Sequence, residues 1–233
     1  MASFLRSTRT GAAGAPAAAL RRSALFSLAL SAALIAGGCA GKKQPPATTA
    51  TDGFLPVITH TAVITTTLGD IEVELYGVDA PMTVANFVGL AETNVYDSVL
   101  FHRVVPGFVI QGGDPKSKSL SMKSEWGQGG TSIYGGGDFA DELNPEAPSY
   151  QRGYVTGTLA MANRGPNTNT SQFFIVLDDG VNDRLGKNYT MFGLVRSGMN
   201  VVDAIEKNGS DVNPVRILDV KTTEFIEIEA GTQ

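Results

Sequence analysis

The chain has only one cysteine, two histidines and one tryptophan among its 233 residues. A lone cysteine cannot form a disulfide within the chain, so we expect the fold to depend on its apolar core alone. So few cysteines and histidines argue against an iron–sulfur cluster and against zinc sites of the usual spacing. Walker and G-x-S-x-G motifs are also missing. We interpret His60 and His102 as packed or surface side chains, and we predict no metal and no cofactor.

A long apolar run is missing as well. The run ALFSLALSAALIAGG, residues 24–38, is shorter than the roughly 20 residues that a transmembrane helix needs. Arginines precede it and small residues end it, as in a secretory signal. Cys39 follows directly, which resembles the bacterial lipoprotein signal, although Ala36 stands where that signal usually has leucine. We therefore predict a signal peptide over residues 1–38, cleaved before Cys39, and a lipid on Cys39.

Two other interpretations of this segment stay open. It could be an uncleaved N-terminal anchor, or the signal of an ordinary secreted protein whose thiol has no role. Ala40 is not the aspartate that retains some lipoproteins in inner membranes. We therefore predict a lipid-anchored, extracytoplasmic protein of the cell envelope, on the outer membrane and facing the periplasm if the host has two membranes.

The charge of the mature chain excludes some partners. Removal of residues 1–38 leaves 14 Lys and Arg against 23 Asp and Glu, a net charge of −9. Such a chain is a poor match for nucleic acid and for anionic lipid. We predict no nucleic-acid partner, and membrane attachment through the lipid on Cys39 only.

The remaining sequence predicts one β-rich domain. Residues 39–58 have few large apolar side chains and are interpreted as a flexible tether, followed by a folded domain over residues 59–230. Alternating β-branched residues predict a hairpin over residues 61–77 around a Leu-Gly-Asp turn. Further short strands are predicted at residues 99–104, 108–112, 157–162 and 172–177, near 190–195 and near 215–228.

Two segments are instead predicted to be helices, and the first has the apolar period of one. One covers residues 79–93 and is expected to begin near Asp79 and Pro81. The other covers residues 197–210 and is expected to stop at Gly209. Many short strands with two isolated helices are typical of a closed barrel or a sandwich that helices cap. Nothing predicts a coiled coil or an exposed apolar face, so we expect a monomer.

One motif places a cation where none is expected. In FHRVVPGFVIQGGD, residues 101–114, Arg103 interrupts an apolar, β-branched run and has no acidic residue nearby in the sequence. A buried structural arginine normally needs an acidic partner. We therefore interpret Arg103 as available to a ligand.

Four stretches together carry a family resemblance. They are FHRVVPGFVIQGGD, GQGGTSIYGGGDFADEL, GTLAMANRGPNTNTSQFFI and MFGLVRSGMNVVDAIEKN. In order and spacing they resemble cyclophilins, the cyclosporin-type peptidyl-prolyl cis–trans isomerases, from about residue 61 to 226. The resemblance implies a mainly β fold, a closed eight-stranded antiparallel barrel capped by two α-helices, with the site on its outer face.

The resemblance also implies the roles of individual residues. Arg103 would be the catalytic arginine. The other implied substrate-binding residues fall into three groups: Phe108, Val109 and Phe174 lining the proline pocket, with Leu185 at its rim; Gln111, Ala162, Asn163 and Gln172 holding the peptide backbone; and Tyr189 at the position of the family's histidine.

Four departures from the family pattern affect this site, and Tyr189 in place of the usual histidine is one of them. Val109 replaces the usual methionine, and Arg184 stands at the position of the family's tryptophan. We therefore expect weak inhibition by cyclosporin. The loop over residues 115–126 is longer than usual and is expected to shape access to the pocket.

The chemistry fits an arginine. Rotation about an X–Pro bond must break amide resonance, and at the twisted transition state the proline nitrogen regains its lone pair. A fixed cation that donates to that nitrogen binds the twisted form better than either planar form. We predict an isomerase that assists the folding of exported proteins. The alternatives are a module that binds proline segments without turnover, and an anchored scaffold whose long loop docks a partner.

Overall fold

The computed structural model describes residues 55–209 and 213–224. The predicted signal peptide, Cys39 and most of the predicted tether therefore lie outside the described residues. The predicted end of the last strand, residues 225–228, lies outside them too. In the part of the chain that the structure describes, no helix combines the length and apolar character needed to cross a bilayer.

Within these described ranges, eight antiparallel strands form one curled sheet. In chain order they are β1 (His60–Thr66), β2 (Gly69–Leu75), β3 (Arg103–Val105), β4 (Val109–Gly112), β5 (Thr158–Met161), β6 (Phe173–Val176), β7 (Met191–Ser197) and β8 (Ile217–Glu224). Their spatial order is β3-β4-β6-β5-β7-β2-β1-β8. The predicted mainly β, eight-stranded antiparallel fold is confirmed.

Two helices of the structure match the predicted ones, and two are additional. The helices are α1 (Pro81–Glu92), α2 (Pro148–Arg152), α3 (Asn182–Leu185) and α4 (Met199–Asn208). Three short 3₁₀ helices lie at Pro115–Lys118, Leu120–Glu125 and Asp179–Val181. The additional segments have no more than six residues, too few to show a helical period in the sequence.

The start of α1 differs in detail from the prediction. The helix begins at Pro81, as expected, but Asp79 does not cap it, because its carboxylate accepts a hydrogen bond from the first turn of α2. The carboxylate of Glu142 takes that role instead and accepts from the backbone N–H groups of Met82 and Thr83, both at 2.9 Å. A distant acid thus satisfies N–H groups that have no partner within the helix.

The main core lies between one face of the sheet and the helices α1 and α4. Large aromatic side chains lie in it, and several of their rings meet edge to face: the centroids of Phe87 and Phe173 are 5.7 Å apart at an interplanar angle of 85°. Strand alternation sends every second side chain into this core and leaves the others on the outer face of the sheet.

Backbone hydrogen bonds also join segments next to the two outermost strands. Residues 98–101, which precede β3, bond to residues 215–217 at the start of β8. The predicted strand over residues 99–104 is therefore divided. Leu100 forms an isolated bridge with Arg216, and regular pairing starts only at Arg103.

Candidate active site

One cross-strand row on the outer face contains the central site residues. The register pairs Arg103 with Gln111 and Gln111 with Phe174, and the row continues through Ala160 to Met191. Their neighbours along the strands pack in the main core, so this row faces away from it. The short strands β3 to β6 thus place a cation, an amide and an aromatic ring side by side.

An apolar cluster, here called the outer cluster, covers the same face. Its buried members are Val109, Tyr154, Ala160, Phe174, Val176, Val181, Leu185 and Met191, and the half-buried Phe108, Tyr150, Ala162 and Tyr189 pack against them. Six of the predicted site residues are therefore brought together: Phe108, Val109, Ala162, Phe174, Leu185 and Tyr189. The rings of Phe174 and Tyr189 meet edge to face at 5.4 Å. A visiting apolar ring would meet the half-buried members first.

A chain of hydrogen bonds starts at the arginine. Arg103 Nη1 donates to Gln111 Oε1 at 3.3 Å, and Gln111 Nε2 donates to Gln172 Oε1 at 2.9 Å. Gln172 Nε2 then donates to the carbonyl oxygens of Gly127 at 3.0 Å and Gly129 at 2.5 Å. Both ends of the buried Gln172 amide are used, so this side chain orients Gln111 and, through it, Arg103.

The Arg103 side chain is exposed and is held by this neutral acceptor. Among residues 55–209 and 213–224, ion pairs form at four other places, and none of them involves Arg103. A guanidinium keeps its charge at any physiological pH and presents five N–H donors. Arg103 can therefore donate to a ligand without first leaving a carboxylate.

Asp114 fixes the base of the loop over residues 115–126. Its buried carboxylate accepts from the backbone N–H groups of Lys116 at 2.8 Å, Gly127 at 2.6 Å and Gly129 at 3.2 Å. A Cβ on Gly129 would lie 2.1 Å from Asp114 Oδ1, so only glycine fits there. Sequence reasoning did not assign Asp114 a role, although its position in the Gly-Gly-Asp turn before a proline was a signal.

The same loop borders a separate cleft of about 600 Å³. Leu68, Leu120, Trp126, Pro214 and Arg216 are among the residues that line it, and none of the predicted site residues does. The loop thus supports the site at its base, through Asp114, while its outer side faces this cleft.

Asn163 lies at the edge of the outer cluster, and its amide is partly engaged. Its Nδ2 donates to the Asn188 carbonyl at 3.0 Å and approaches Asp141 Oδ1 at 3.4 Å. A cleft of about 380 Å³ lies beside it and is also lined by Leu143 and Tyr189. This cleft offers room for the part of a peptide chain next to the apolar ring.

Tyr154 is a buried supporting residue that the sequence did not reveal. Its hydroxyl donates to the Tyr189 carbonyl at 3.0 Å and accepts from the Tyr189 N–H at 3.1 Å. Burial raises the pKa of Tyr154 to about 12, against a smaller lowering effect of the hydrogen bond to Tyr189. The neutral phenol therefore holds the backbone of Tyr189 throughout the physiological range of pH.

His102 is packed, as expected, and lies next to Gly127 at the end of the loop. It is 9% exposed, and both ring nitrogens lack a hydrogen-bond partner among the described residues. Burial lowers the pKa of His102, while the charge of Asp114 opposes the change. The ring is therefore a neutral packing element next to Arg103. In the described part of the chain, no cluster of three or more His, Cys, Asp or Glu side chains could hold a metal ion.

Known proteins resemble this chain in both sequence and fold. The family model described as cyclophilin type peptidyl-prolyl cis-trans isomerase/CLD matches residues 61–225. The chain belongs to the cyclophilin family. The predicted enzyme class, a peptidyl-prolyl cis–trans isomerase of the cyclophilin type, is therefore confirmed.

Two curated cyclophilins illustrate the similarity. Peptidyl-prolyl cis-trans isomerase ppi1 of Schizosaccharomyces pombe is 44% identical over 158 residues, which cover 66% of this chain and 92% of the relative. Peptidyl-prolyl cis-trans isomerase A of Mycobacterium tuberculosis is 42% identical over 175 residues, which cover 68% of this chain and 86% of the relative. The match spans nearly all of each relative.

Solved cyclophilin structures agree with the fold. The crystal structure of a cyclophilin type isomerase from Cryptosporidium parvum has a TM-score of 0.61 at 33% identity, and the match covers 71% of this chain and 98% of that one. A structure of the same protein in the presence of the dipeptide Ala-Pro has a TM-score of 0.59 at 34% identity. That neighbour was thus crystallised with a proline dipeptide.

Proposed function

We propose that this cyclophilin accelerates rotation about X–Pro bonds in exported proteins, with Arg103 as its catalytic residue. The observation that carries the proposal is the exposed Arg103 guanidinium, held on the face of the outer cluster by one neutral acceptor, Gln111. An apolar surface and an available cation on one face are what a proline ring and a twisted amide nitrogen require.

In this mechanism one end of the substrate is held while the other end rotates. Phe108, Val109 and Phe174 hold the proline ring in apolar contact, while Gln111, Ala162, Asn163 and Gln172 hold the flanking backbone directly or through a neighbour. The rest of the peptide rotates about the X–Pro bond, against a barrier of about 18–20 kcal/mol in water. Arg103 donates to the proline nitrogen as its lone pair localises, so it stabilises the twisted state more than either planar state.

The decisive experiment compares the wild-type protein with Arg103→Ala. Exchange of a short X–Pro peptide, followed by two-dimensional NMR exchange spectroscopy, is expected to be fast with the wild type and close to the uncatalysed rate with the variant. Equally fast exchange with both proteins would remove Arg103 from catalysis. If both proteins leave exchange at the uncatalysed rate but still bind the peptide, the alternative is favoured, a module that binds proline segments without turnover.

We also propose that the protein is lipid-anchored through Cys39 on the extracytoplasmic side of the envelope. The support comes from the sequence: an arginine-rich start, a short apolar run and small residues before a lone cysteine. Mass spectrometry of the mature N-terminus is expected to find an acylated Cys39, and Cys39→Ser is expected to move the protein to the soluble fraction. An unmodified Cys39, or an intact N-terminus, would overturn the proposal.

We further propose that the curled sheet closes into a barrel and that the protein is a monomer. What supports closure is the pair of 2.9 Å hydrogen bonds from Ser98 N to Ile217 O and from Phe101 N to Val215 O, with Ile217 N to Val99 O at 2.8 Å. Slow hydrogen exchange at the amides of Phe101 and Ile217 is expected if the closure is stable. Light scattering after size-exclusion chromatography is expected to give the mass of a monomer.

A further inference from the structure

Arg184 lies against the ring of a proline-pocket residue. It belongs to the short helix α3, and its Cζ is 3.7 Å from the centroid of the Phe108 ring. This is a van der Waals contact distance, at which a guanidinium covers an aromatic face and is attracted by it. The next residue, Leu185, is buried in the outer cluster and anchors α3. The charge of Arg184 is therefore held at the edge of the site.

The donors of Arg184 are available. Its side chain is exposed, and within the described residues it forms no hydrogen bond and no ion pair, in contrast to Arg164, which pairs with Asp138 at 2.7 Å. A guanidinium has five N–H donors in a plane, and stacking on a ring leaves their edges free. Planar forks of this kind match a carboxylate.

Two cations lie at this face of a chain that is acidic as a whole. Residues 39–233 carry a net charge of −9, yet two exposed arginines, Arg103 and Arg184, lie at the outer face that carries the apolar cluster. If Arg103 serves the proline nitrogen, Arg184 is left for a different group of the same peptide. An acidic side chain close to the proline has the opposite charge and lies near enough to bind Arg184.

We propose that Arg184 makes this cyclophilin select proline segments that carry Asp or Glu next to the proline. The inference rests on the proposed function, because it assigns a substrate preference to the same site. Arg184 acts as a specificity residue: it binds the flanking carboxylate while Phe108 contacts the proline ring. Since the ion pair is exposed to solvent, we expect a preference of about two- to five-fold.

The test uses matched peptides in which Glu or Gln stands immediately before, or immediately after, the proline. The readout is the ratio of kcat/KM for the Glu peptide to that for the Gln peptide at low salt. For the wild type we expect a ratio of about two to five at one of the two positions, falling towards one as salt screens the pair. Arg184→Gln is expected to bring the ratio to one or below, and Arg184→Lys to keep part of it.

Lys187 provides the matched control. It is exposed, lies three residues away, and its Nζ stacks over the Tyr150 ring at 4.3 Å while donating to the Tyr150 carbonyl at 2.9 Å. Lys187→Gln removes the same charge and a similar ring contact, and it is expected to keep the wild-type ratio. A loss of the ratio in Lys187→Gln as large as in Arg184→Gln would reduce the effect to net charge and overturn the proposal.

Two further outcomes of this experiment test the role of Arg184. A wild-type ratio of one at both positions, or a ratio unchanged in Arg184→Gln, would overturn the role of Arg184. If no peptide is isomerised, the proposed function fails, but the Glu and Gln peptides can still be compared by NMR titration of the wild type and Arg184→Gln. Tighter binding of the Glu peptide that is lost in Arg184→Gln supports the inference in that case, and equal binding rejects it.

Discussion

Arg103 lies directly opposite Gln111 in the β3–β4 pair, and its guanidinium donates to the Gln111 amide oxygen at 3.3 Å. This distance is at the long end for a hydrogen bond, and the acceptor is neutral. The arginine is thus oriented by its neighbour without being neutralised by it. An amide nitrogen that gains a lone pair can compete for its donors.

The first prediction tests Arg103 as the donor to the proline nitrogen in the transition state. Arg103→Ala is expected to lower kcat for an X–Pro peptide by about 10²- to 10³-fold with little change in KM, since the donor acts mainly on the transition state. Arg103→Lys keeps the charge without the planar fork, so an intermediate kcat is expected. NMR line-shape analysis at several peptide concentrations separates kcat from KM.

The control for that prediction is Arg196→Ala, which removes one positive charge from β7. Arg196 is 53% exposed and lies 3.8 Å from Glu74, on a strand that also supplies the site with Met191. The kcat of Arg196→Ala is expected to stay at the wild-type value. A rise in KM with unchanged kcat in Arg103→Ala would contradict the proposed catalytic role.

Much of this site could be predicted from the sequence because strand alternation is a local property. The motif around Arg103 and the motif around Phe174 each place alternate residues on one face, and the structure brings those faces together. The position of Gln172 behind Gln111 could not be predicted, because it depends on side-chain rotamers and on the carbonyl groups of a distant loop. The cation at Arg184 was visible, but its contact with Phe108 was not.

A second prediction tests Gln172 as a positioning residue. Gln172→Met keeps the size of the side chain but leaves the carbonyl oxygens of Gly127 and Gly129 without this donor. We expect the free energy of unfolding in urea to fall by about 1–3 kcal/mol. We also expect kcat to fall, because Gln111 loses the partner that orients it towards Arg103.

Gln151→Met is the matched control, because Gln151 is exposed on α2. It should leave both the stability and kcat close to the wild type. If Gln172→Met lowers stability while kcat stays at the wild-type value, Gln172 supports the fold alone and the positioning role is wrong.

The start of α1 also has a local cause, which the sequence shows, and a distant one, which it does not. Pro81 marked the start of α1 correctly, since its fixed φ favours the first turn of a helix. The acid that satisfies that turn is Glu142, about sixty residues away in sequence, and nothing near Pro81 could reveal it. Asp79, the local candidate, bonds to α2 instead.

A third prediction concerns Asp114 and the loop over residues 115–126. Asp114→Ala removes the acceptor of three backbone N–H groups, at Lys116, Gly127 and Gly129. The loop is then expected to open more often, and trypsin is expected to cut after its lysines at least several-fold faster under native conditions. Asp183→Ala, a change of an exposed carboxylate in α3, should leave the cleavage rate unchanged. Equal cleavage of the wild type and Asp114→Ala would show that the loop is held by other contacts.

A fourth prediction follows from the buried ring of His102. Burial lowers its pKa below the ordinary value of 6.5, so the folded protein binds a proton at this ring less readily than the unfolded chain does. The contribution of His102 to stability is therefore complete above pH 6.5 and is lost as pH falls from 6.5 through the folded pKa. We expect the urea midpoint of the wild type to fall between pH 7.5 and pH 5, and to fall less in His102→Gln.

The pKa itself can be measured because the chain has only two histidines. An NMR titration of the ring protons, with His60→Ala to assign the two signals, reports His102 directly. A pKa at or above 6.5 would contradict the prediction, since it would mean that the folded site accepts the charged ring despite its 9% exposure and unpartnered nitrogens. The nearby carboxylate of Asp114, which raises the pKa of His102, would then outweigh burial, and the loop would gain stability on protonation instead of losing it.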